Sequence, residues 1–515
     1  MLRKNMYKRL GAILCAVVCM PVLTACATNP TQQVVTSKND GSFDVNVVQS
    51  ASEDKDPDAV QDIKYYDVFC STDGTVEFQL RIDQQLSDCN MPVVEVTPHY
   101  LTEDDAKRVC KVLFGDAEFN EAEPSMGNLK DTLTKSDIME AIQRWSPYTS
   151  SDYLLEFFGN DSQRDITGYA EKIKEAIEYY TELFETVADD TRHESAKWTF
   201  QSDYYYIYSP EDIDERGLKN DPSANDQICV TVKDGDIPYL VQISVRNKED
   251  YKLNTIFAYP QSQYSPWAFD NLLFNAKLCR TEKPTENQIA HIRTKAQDML
   301  DRMELGQWVV DQCYLETTYV GEIPEYKVCV TAVPVINGVP VIRLQQLSNL
   351  KSEEAYASNY YLSDATFYFS SNGKLVWFQM FSTIDIKDTL NENVATLSVD
   401  ELMAKARSHL SLSDYQEYGL NGDVLGVLKR QIEEEVICKI DICESEYGMT
   451  RVKVPNTDES YYYVPCLVLS GTVDYCGVET GTVYASSGDN FGHDRIVPLI
   501  ALNAVDGTII ELYNE

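Results

Sequence analysis

The sequence predicts an α+β fold of tandem units, each an antiparallel sheet with one helix packed on it. Three observations lead there. Capped amphipathic helices recur three times, strands follow each helix, and each run of strands carries a hairpin with Asn-Gly or Asp-Gly at its tip. Hydrophobic residues make up 43% and aromatic residues 11% of the 515, enough to build cores and to exclude wholesale disorder.

A hairpin comes first, Tyr65–Cys70 and Thr75–Ile82 around Asp73-Gly74. The first helix starts at Thr102, a good N-cap, with Glu103, Asp104 and Asp105 at the positive end of the helix dipole. Ala106, Val109, Cys110, Leu113 and Phe114 recur at the three–four spacing of one face, and Gly115 supplies the stop. An insertion follows, with helices at Ser136–Trp145 and Ile166–Val187. Strands are expected at Trp198–Tyr208, Ile228–Lys233 and Tyr239–Val245, the last two joined by Asp234-Gly235. The second helix begins at Thr285, with Gln288 completing a capping box. Ile289, Ile292, Ala296, Met299, Leu300 and Met303 form its face, and Gly306 ends it. Its strands are Trp308–Tyr319, Tyr326–Val335, Ala365–Phe369 and Leu375–Met380, with Asn372-Gly373 between the last two. The third helix begins at Ser398, with Glu401 completing the box and Val399, Leu402, Met403, Ala406 and Leu410 on its face. Val436–Glu444, Met449–Val454, Tyr463–Leu469, Leu499–Leu502 and Thr508–Leu512 follow, the last pair flanking Asp506-Gly507.

The start of the chain reads as an address. Arg3, Lys4, Lys8 and Arg9 precede an apolar stretch, Ala12 to Leu23, too short to span a bilayer and suited to a secretory signal. It ends in Leu23-Thr24-Ala25-Cys26, which resembles the bacterial lipoprotein signal. The resemblance implies cleavage before Cys26, a diacylglycerol on its thiol and a place on the outer face of the cell membrane. Removing residues 1–25 would leave a net charge of about −42, so the lipid rather than a basic patch would hold the body to an anionic bilayer. The polar stretch that follows suits a flexible tether; an added strand near Phe43–Val48 is the alternative. The expected organisation is a signal peptide at 1–25, a tether at 26–61, an N-terminal domain at 62–280 with a helical insertion at about 134–190, a middle unit at 281–396 and a C-terminal unit at 397–515.

Eighty-two acidic residues against 44 basic ones give a formal net charge of −38, which excludes a nucleic-acid partner. No apolar run reaches 18 residues. Beyond Cys26 the cleaved chain would keep eleven cysteines, an odd number, several in strand patterns where a thiol packs as a small hydrophobe. Buried thiols are the simpler reading, and one or two disulfides are compatible with it. There is no CxxC.

No catalytic or metal-binding constellation stands out, so no cofactor is expected. His99, His193, His291, His409 and His493 fall at no metal-ligand spacing, and His193, His291 and His409 read as surface or cap-edge residues. His493 lies in the small-residue loop from Ser486 to Asp494, where a site is conceivable. Ser348-Asn349-Leu350-Lys351 fits SxxK without its companion motifs. Tyrosines cluster at Tyr204–Tyr206 with Tyr208, at Tyr360-Tyr361 and at Tyr461–Tyr463, and exposed Tyr suits sugars and protein partners.

Tyr462-Tyr463-Val464-Pro465, Leu467–Gly471 and Leu502-Asn503-Ala504-Val505-Asp506-Gly507-Thr508-Ile509-Ile510 resemble an uncharacterised lipoprotein family of Gram-positive gut anaerobes. Asn372–Phe378, Ile384–Ile386, Leu390–Val394, Val94–Val96 and Leu101–Val109 fit the same pattern. The order of helix, strands and Asp-Gly hairpin is more loosely similar to PepSY-type modules, found in protease propeptides and in extracytoplasmic regulators. With the lipobox, the tether and the lack of a catalytic constellation, the repeated PepSY-like units lead to the expectation of a non-catalytic interaction or regulatory protein of the envelope with a protein or glycan partner. A glycan- or peptide-binding lipoprotein is the alternative, and a hydrolase a further one. Neither group lends a catalytic residue.

Overall fold

Thr102, Thr285 and Ser398 each cap a helix reciprocally with the residue three positions on. Each hydroxyl accepts from the backbone N–H of Asp105, Gln288 or Glu401, and each of those side chains accepts from the cap's own N–H. The glycines of the four expected turns, Gly74, Gly235, Gly373 and Gly507, all take the positive φ that such hairpins need.

The computed structural model describes residues 47–52, 60–87, 91–122, 134–158, 166–187, 195–206, 208, 210–221, 224–248, 251–261, 269–320, 322–342, 364–412, 432, 434–453, 460–486 and 496–510. In chain order the elements are β1 (Val60–Cys70), β2 (Val76–Ser87), β3 (Val93–Pro98), α1 (Glu103–Phe114), β4 (Phe119–Glu121), α2 (Lys135–Trp145), α3 (Ser151–Phe158), α4 (Ile166–Phe184), β5 (Gln201–Ser202), α5 (Pro210–Arg216), β6 (Asp226–Asp234), β7 (Ile237–Lys248), β8 (Tyr251–Pro260), α6 (Phe269–Cys279), α7 (Glu286–Met303), β9 (Trp308–Val320), β10 (Ile323–Ile336), β11 (Val339–Pro340), β12 (Asp364–Ser370), β13 (Leu375–Phe381), β14 (Ile384–Asn391), α8 (Val399–Leu410), β15 (Val436–Lys453), β16 (Tyr461–Gly477), β17 (Val483–Ser486), β18 (Val497–Asn503) and β19 (Ile509–Ile510).

The fold is α+β, with two sheets that are almost wholly antiparallel. A ten-stranded sheet runs β11-β10-β12-β13-β8-β7-β6-β4, with β9 on β10 and β5 on β6. Its inner face carries α1 and α7 in one core, where Val109, Cys110, Ile292, Ala296 and Leu300 meet Val230, Val241, Val328, Phe367 and Phe378. A nine-stranded sheet runs β1-β2-β15-β16-β18-β19, with β3 on β16, β14 on β3 and β17 on β16. Leu402, Met403, Ala406 and Leu410 of α8 pack against its strands. The insertion is a separate helical cluster of α2, α3 and α4, in which the Trp145 ring meets Tyr180 edge-on at 5.2 Å.

The sheets cross the boundaries expected from the sequence. The N-terminal and middle units share one sheet because β8 and β13 pair antiparallel, with Ala258 opposite Phe378. Two edge strands, each exposing unpaired N–H and C=O groups, are thereby closed against each other. The hairpin β1–β2 does not join the N-terminal unit; β2 lies parallel to β15, with Phe78 opposite Ile440. Within the expected tether, Ala51 N–H donates to the Asn393 carbonyl (2.9 Å), Ala395 N–H donates to that of Gln49 (2.7 Å), and β1 already begins at Val60. The strand expected at Trp198–Tyr208 is only Gln201–Ser202, followed by a 3₁₀ turn at Asp203–Tyr206. That turn forms because Asp203 N–H reaches the Asn225 carbonyl (2.7 Å) and the Tyr205 and Tyr206 hydroxyls reach Glu121 and the Gln227 carbonyl. The second helix ends at Glu304, itself left-handed (φ 53°), two residues before Gly306. The two strands expected at 436–454 are one, β15, with a bulge between Ile442 and Glu444.

Candidate functional site

Side chains alternate across a sheet, so the neighbours of the inner-face residues stand on the outer face of the ten-stranded sheet. Strand registers set these into two rows across β7, β8, β13 and β12. Leu240, Tyr259, Trp377 and Tyr368 form one row; Gln242, Phe257, Gln379 and Thr366 form the next. Leu240 and Thr366 are buried, and the other six are half-buried.

The rings organise the amides. Tyr259 stacks on Trp377 with centroids 5.2 Å apart and 22° between planes. Phe257 meets Trp377 and Phe381 edge-on at 6.2 and 5.5 Å. The Tyr259 hydroxyl donates to Gln242 Oε1 (3.2 Å), and the Trp377 indole N–H donates to Gln379 Oε1 (3.3 Å). Each amide is therefore anchored by its oxygen to a ring tip. Neither row contains Asp, Glu, Lys, Arg or His. Burial pushes the Tyr259 phenol up to about 12, so it stays neutral across the physiological range. At the β6 side Tyr206 packs with Tyr259 around Cys229 and Leu240, so one member of the Tyr204–Tyr208 cluster does border this surface.

His99 occupies the corner where the chain leaves one sheet for the other. Its Nδ1 lies 3.0 Å from both oxygens of Asp385 on β14, and its Nε2 lies 3.4 Å from Asp105 on α1. Its backbone N–H donates to the Thr383 carbonyl (2.8 Å), and its carbonyl accepts from the buried Asn254 amide on β8. Burial alone would raise the Asp105 carboxyl. Bonds from the Thr102 hydroxyl and N–H, with the charges of Arg108 and His99, outweigh that and hold it below its ordinary value. Where a histidine activates a hydroxyl nucleophile, its imidazole takes the hydroxyl's proton. Here the neighbouring hydroxyl, on Thr102, donates to Asp105 instead (2.7 Å).

The other residues singled out in the sequence do not converge. His291 is exposed on α7, and His409 is half-buried in the last turn of α8. Tyr463 and Tyr462 turn into the nine-stranded sheet's cores, and Tyr461 lies under the Arg451 guanidinium at 4.2 Å. Cys26, His193, His493, Ser348, Lys351, Tyr360 and Tyr361 lie outside the described residues. Every cysteine among the described residues keeps its thiol, and burial pushes the thiols of Cys229, Cys279 and Cys438 up to about 12. Among the described residues no three or more His, Cys, Asp or Glu side chains are grouped to hold a metal ion, and no helix is long and apolar enough to cross a membrane.

Sequence reasoning missed Phe257, Tyr259, Gln242 and Gln379, and read Trp377 only as part of a family phrase. Alternation along β8 and β13 marks each strand's two faces, but neighbourship across β8 and β13 depends on a pairing between residues more than a hundred positions apart.

No family model matches the chain, and no curated protein matches it. Among solved structures it is similar to a crystal structure, at 1.45 Å, of an uncharacterized protein from Eubacterium rectale. The likeness covers 87% of this chain and 93% of that one, at 9% sequence identity and a TM-score of 0.33. It is too distant to bear on function.

Proposed function

We propose that the protein is a non-catalytic binding protein of the cell envelope, held on the outer face of the membrane by a lipid on Cys26. The observation that carries the binding role is the uncharged aromatic–amide surface on one face of a sheet whose other face is filled by helices. In the described chain the polar chemistry supports a scaffold: His99 ties three elements together and the buried thiols are held protonated. The signal-like start, the lipobox at Cys26 and the strongly acidic body support the address. The PepSY-like order of helix and strands supports a regulatory partner outside the membrane.

Metabolic labelling with a fatty-acid probe tests the anchor. The wild type should be tagged and fractionate with membranes, while Cys26→Ala should be untagged and leave them. Equal labelling of the two, or a cytosolic wild type, removes the reading. Cross-linking on intact cells tests the role: recovery of no specific envelope component speaks against it.

A further inference from the structure

Building on the binding role above, we propose that the outer face of the ten-stranded sheet is a platform for a neutral glycan, which lies on Trp377, Tyr259 and Phe257 and hydrogen-bonds to Gln242 and Gln379. Three observations select this ligand over others.

The first is charge. The two rows carry no ionisable group other than tyrosine, within a chain whose formal net charge is −38. A polyanion would be repelled by the body, and a basic peptide would find its counter-charges elsewhere on the surface. An uncharged ligand is the class that loses nothing here.

The second is the pairing of ring faces with primary amides. Tyr259 and Trp377 stack on each other, so each has at most one face left for the apolar C–H face of a sugar ring. An amide both donates and accepts, which matches a hydroxyl that does the same. Gln242 and Gln379 flank Phe257 directly across the strands, so the platform alternates amide, ring, amide. Neighbouring strands stand about 4.8 Å apart, which makes the row a regular ladder. No described group accepts from Gln379 Nε2, while its oxygen is fixed by the Trp377 indole.

The third is position. Extended peptides are commonly read by strand addition at a sheet edge. Trp377, Tyr259 and Phe257 lie mid-sheet, where β7, β8, β13 and β12 already pair with neighbours on both sides. Recognition there must come from side chains, and side chains fixed on strands hold their geometry better than loops do.

The test uses the purified full-length chain in gels containing a neutral polysaccharide (hydroxyethylcellulose, arabinoxylan, laminarin or glycogen) or an anionic one (polygalacturonate or heparin). At least one neutral polymer should retard the wild type and neither anionic polymer should. Trp377→Ala should weaken retardation roughly tenfold, the loss of one aromatic contact. Gln379→Leu, which keeps the volume and removes the amide, should weaken it too. Tyr319→Ala, at a residue 68% exposed on the outermost strand β9, should behave as wild type. Thermal melting accompanies each variant, and if Trp377→Ala is unfolded the Gln379→Leu result decides. Absence of retardation by any neutral polymer overturns the proposal. So does retention that survives both platform variants, preference for the anionic polymers, or quenching of tryptophan fluorescence by an uncharged proline-rich peptide but by none of the glycans. The anchor is read separately: an unacylated chain that binds polymer sinks only the address, and an acylated chain that binds none sinks only the glycan.

Discussion

The Glu434 carboxylate fills the space in which a side chain on Gly477 would stand, and from there it holds the turn after β16. It accepts from Glu479 N–H (3.1 Å), Thr480 N–H (3.0 Å), the Thr480 hydroxyl (2.6 Å) and the Tyr484 hydroxyl. Hydrogen bonds from Thr480 and Tyr484 hold it down at about 2. Gly477→Ala should displace this carboxylate, and Glu434→Gln should weaken the same bonds. Both should speed hydrogen exchange at Glu479 and Thr480, and the double variant should be no faster than the worse single one. Since the folded value lies below the ordinary 4.5, the wild-type protection should be complete above that pH and fade as pH falls toward about 2. Protection that stays flat across that window would remove the assignment.

Asn254 should be costly to replace. It is 2% exposed, its side chain donates to the His99 carbonyl, and its own carbonyl accepts from Ser382 N–H (2.8 Å). Asn254→Ala leaves a carbonyl unpaired where the chain passes between sheets. The expected loss is about 1–3 kcal/mol in urea unfolding. A change below about 0.5 kcal/mol, the range of ordinary surface substitutions, would show that the joint does not depend on this amide.

Glu446 gives the opposite pH sign. Glu446 is an exposed residue, but its carboxyl end is hemmed in, and this packing, with Asp311 and Glu444 nearby, pushes it up to about 7. A folded acid that holds its proton more tightly than the unfolded chain favours folding at low pH. Stability from this group should fall as pH rises from about 4.5 to about 7 and stay reduced above. Glu446→Gln should melt close to wild type at pH 4 and higher than wild type at pH 8. Parallel melting curves at the two pH values would refute this.

The thiols should sort by burial. Cys70 is exposed, whereas Cys110 and Cys466 are fully enclosed and burial pushes their thiols far up. Iodoacetamide under native conditions should label Cys70 first, and Cys110 and Cys466 only as the protein unfolds. Peptide mass spectrometry showing equal rates at Cys70 and Cys110 would contradict the packing.

Local chemistry carried much of this fold into the sequence. Thr102, Thr285 and Ser398 announce their helices because a cap and its partner are three residues apart. Gly235, Gly373 and Gly507 announce their turns because so few residues tolerate positive φ. What stayed hidden is long-range: the edge-to-edge closure of β8 on β13, the parallel seat of β2 on β15, and the anchoring of Gln49–Ala51. The Tyr204–Tyr206 run shows a local signal losing to its surroundings, since a run of aromatics suits a strand but hydroxyl bonds to Glu121 and Gln227 curl it into a turn. The platform was unreadable for the same reason as the closure, because Trp377 meets Tyr259 only once both strands are in register.

Arg81 on β2 reaches Asp441 on β15 across 360 positions of chain. A ribosome has therefore finished most of the polypeptide before the opening hairpin meets its neighbour. Until then the inward-facing Phe78 and Leu80 are covered only by their own hairpin, as where Phe69 stacks on Phe78. Any product that stops short presents that bare flank to proteases, so completeness of synthesis is checked by the architecture itself.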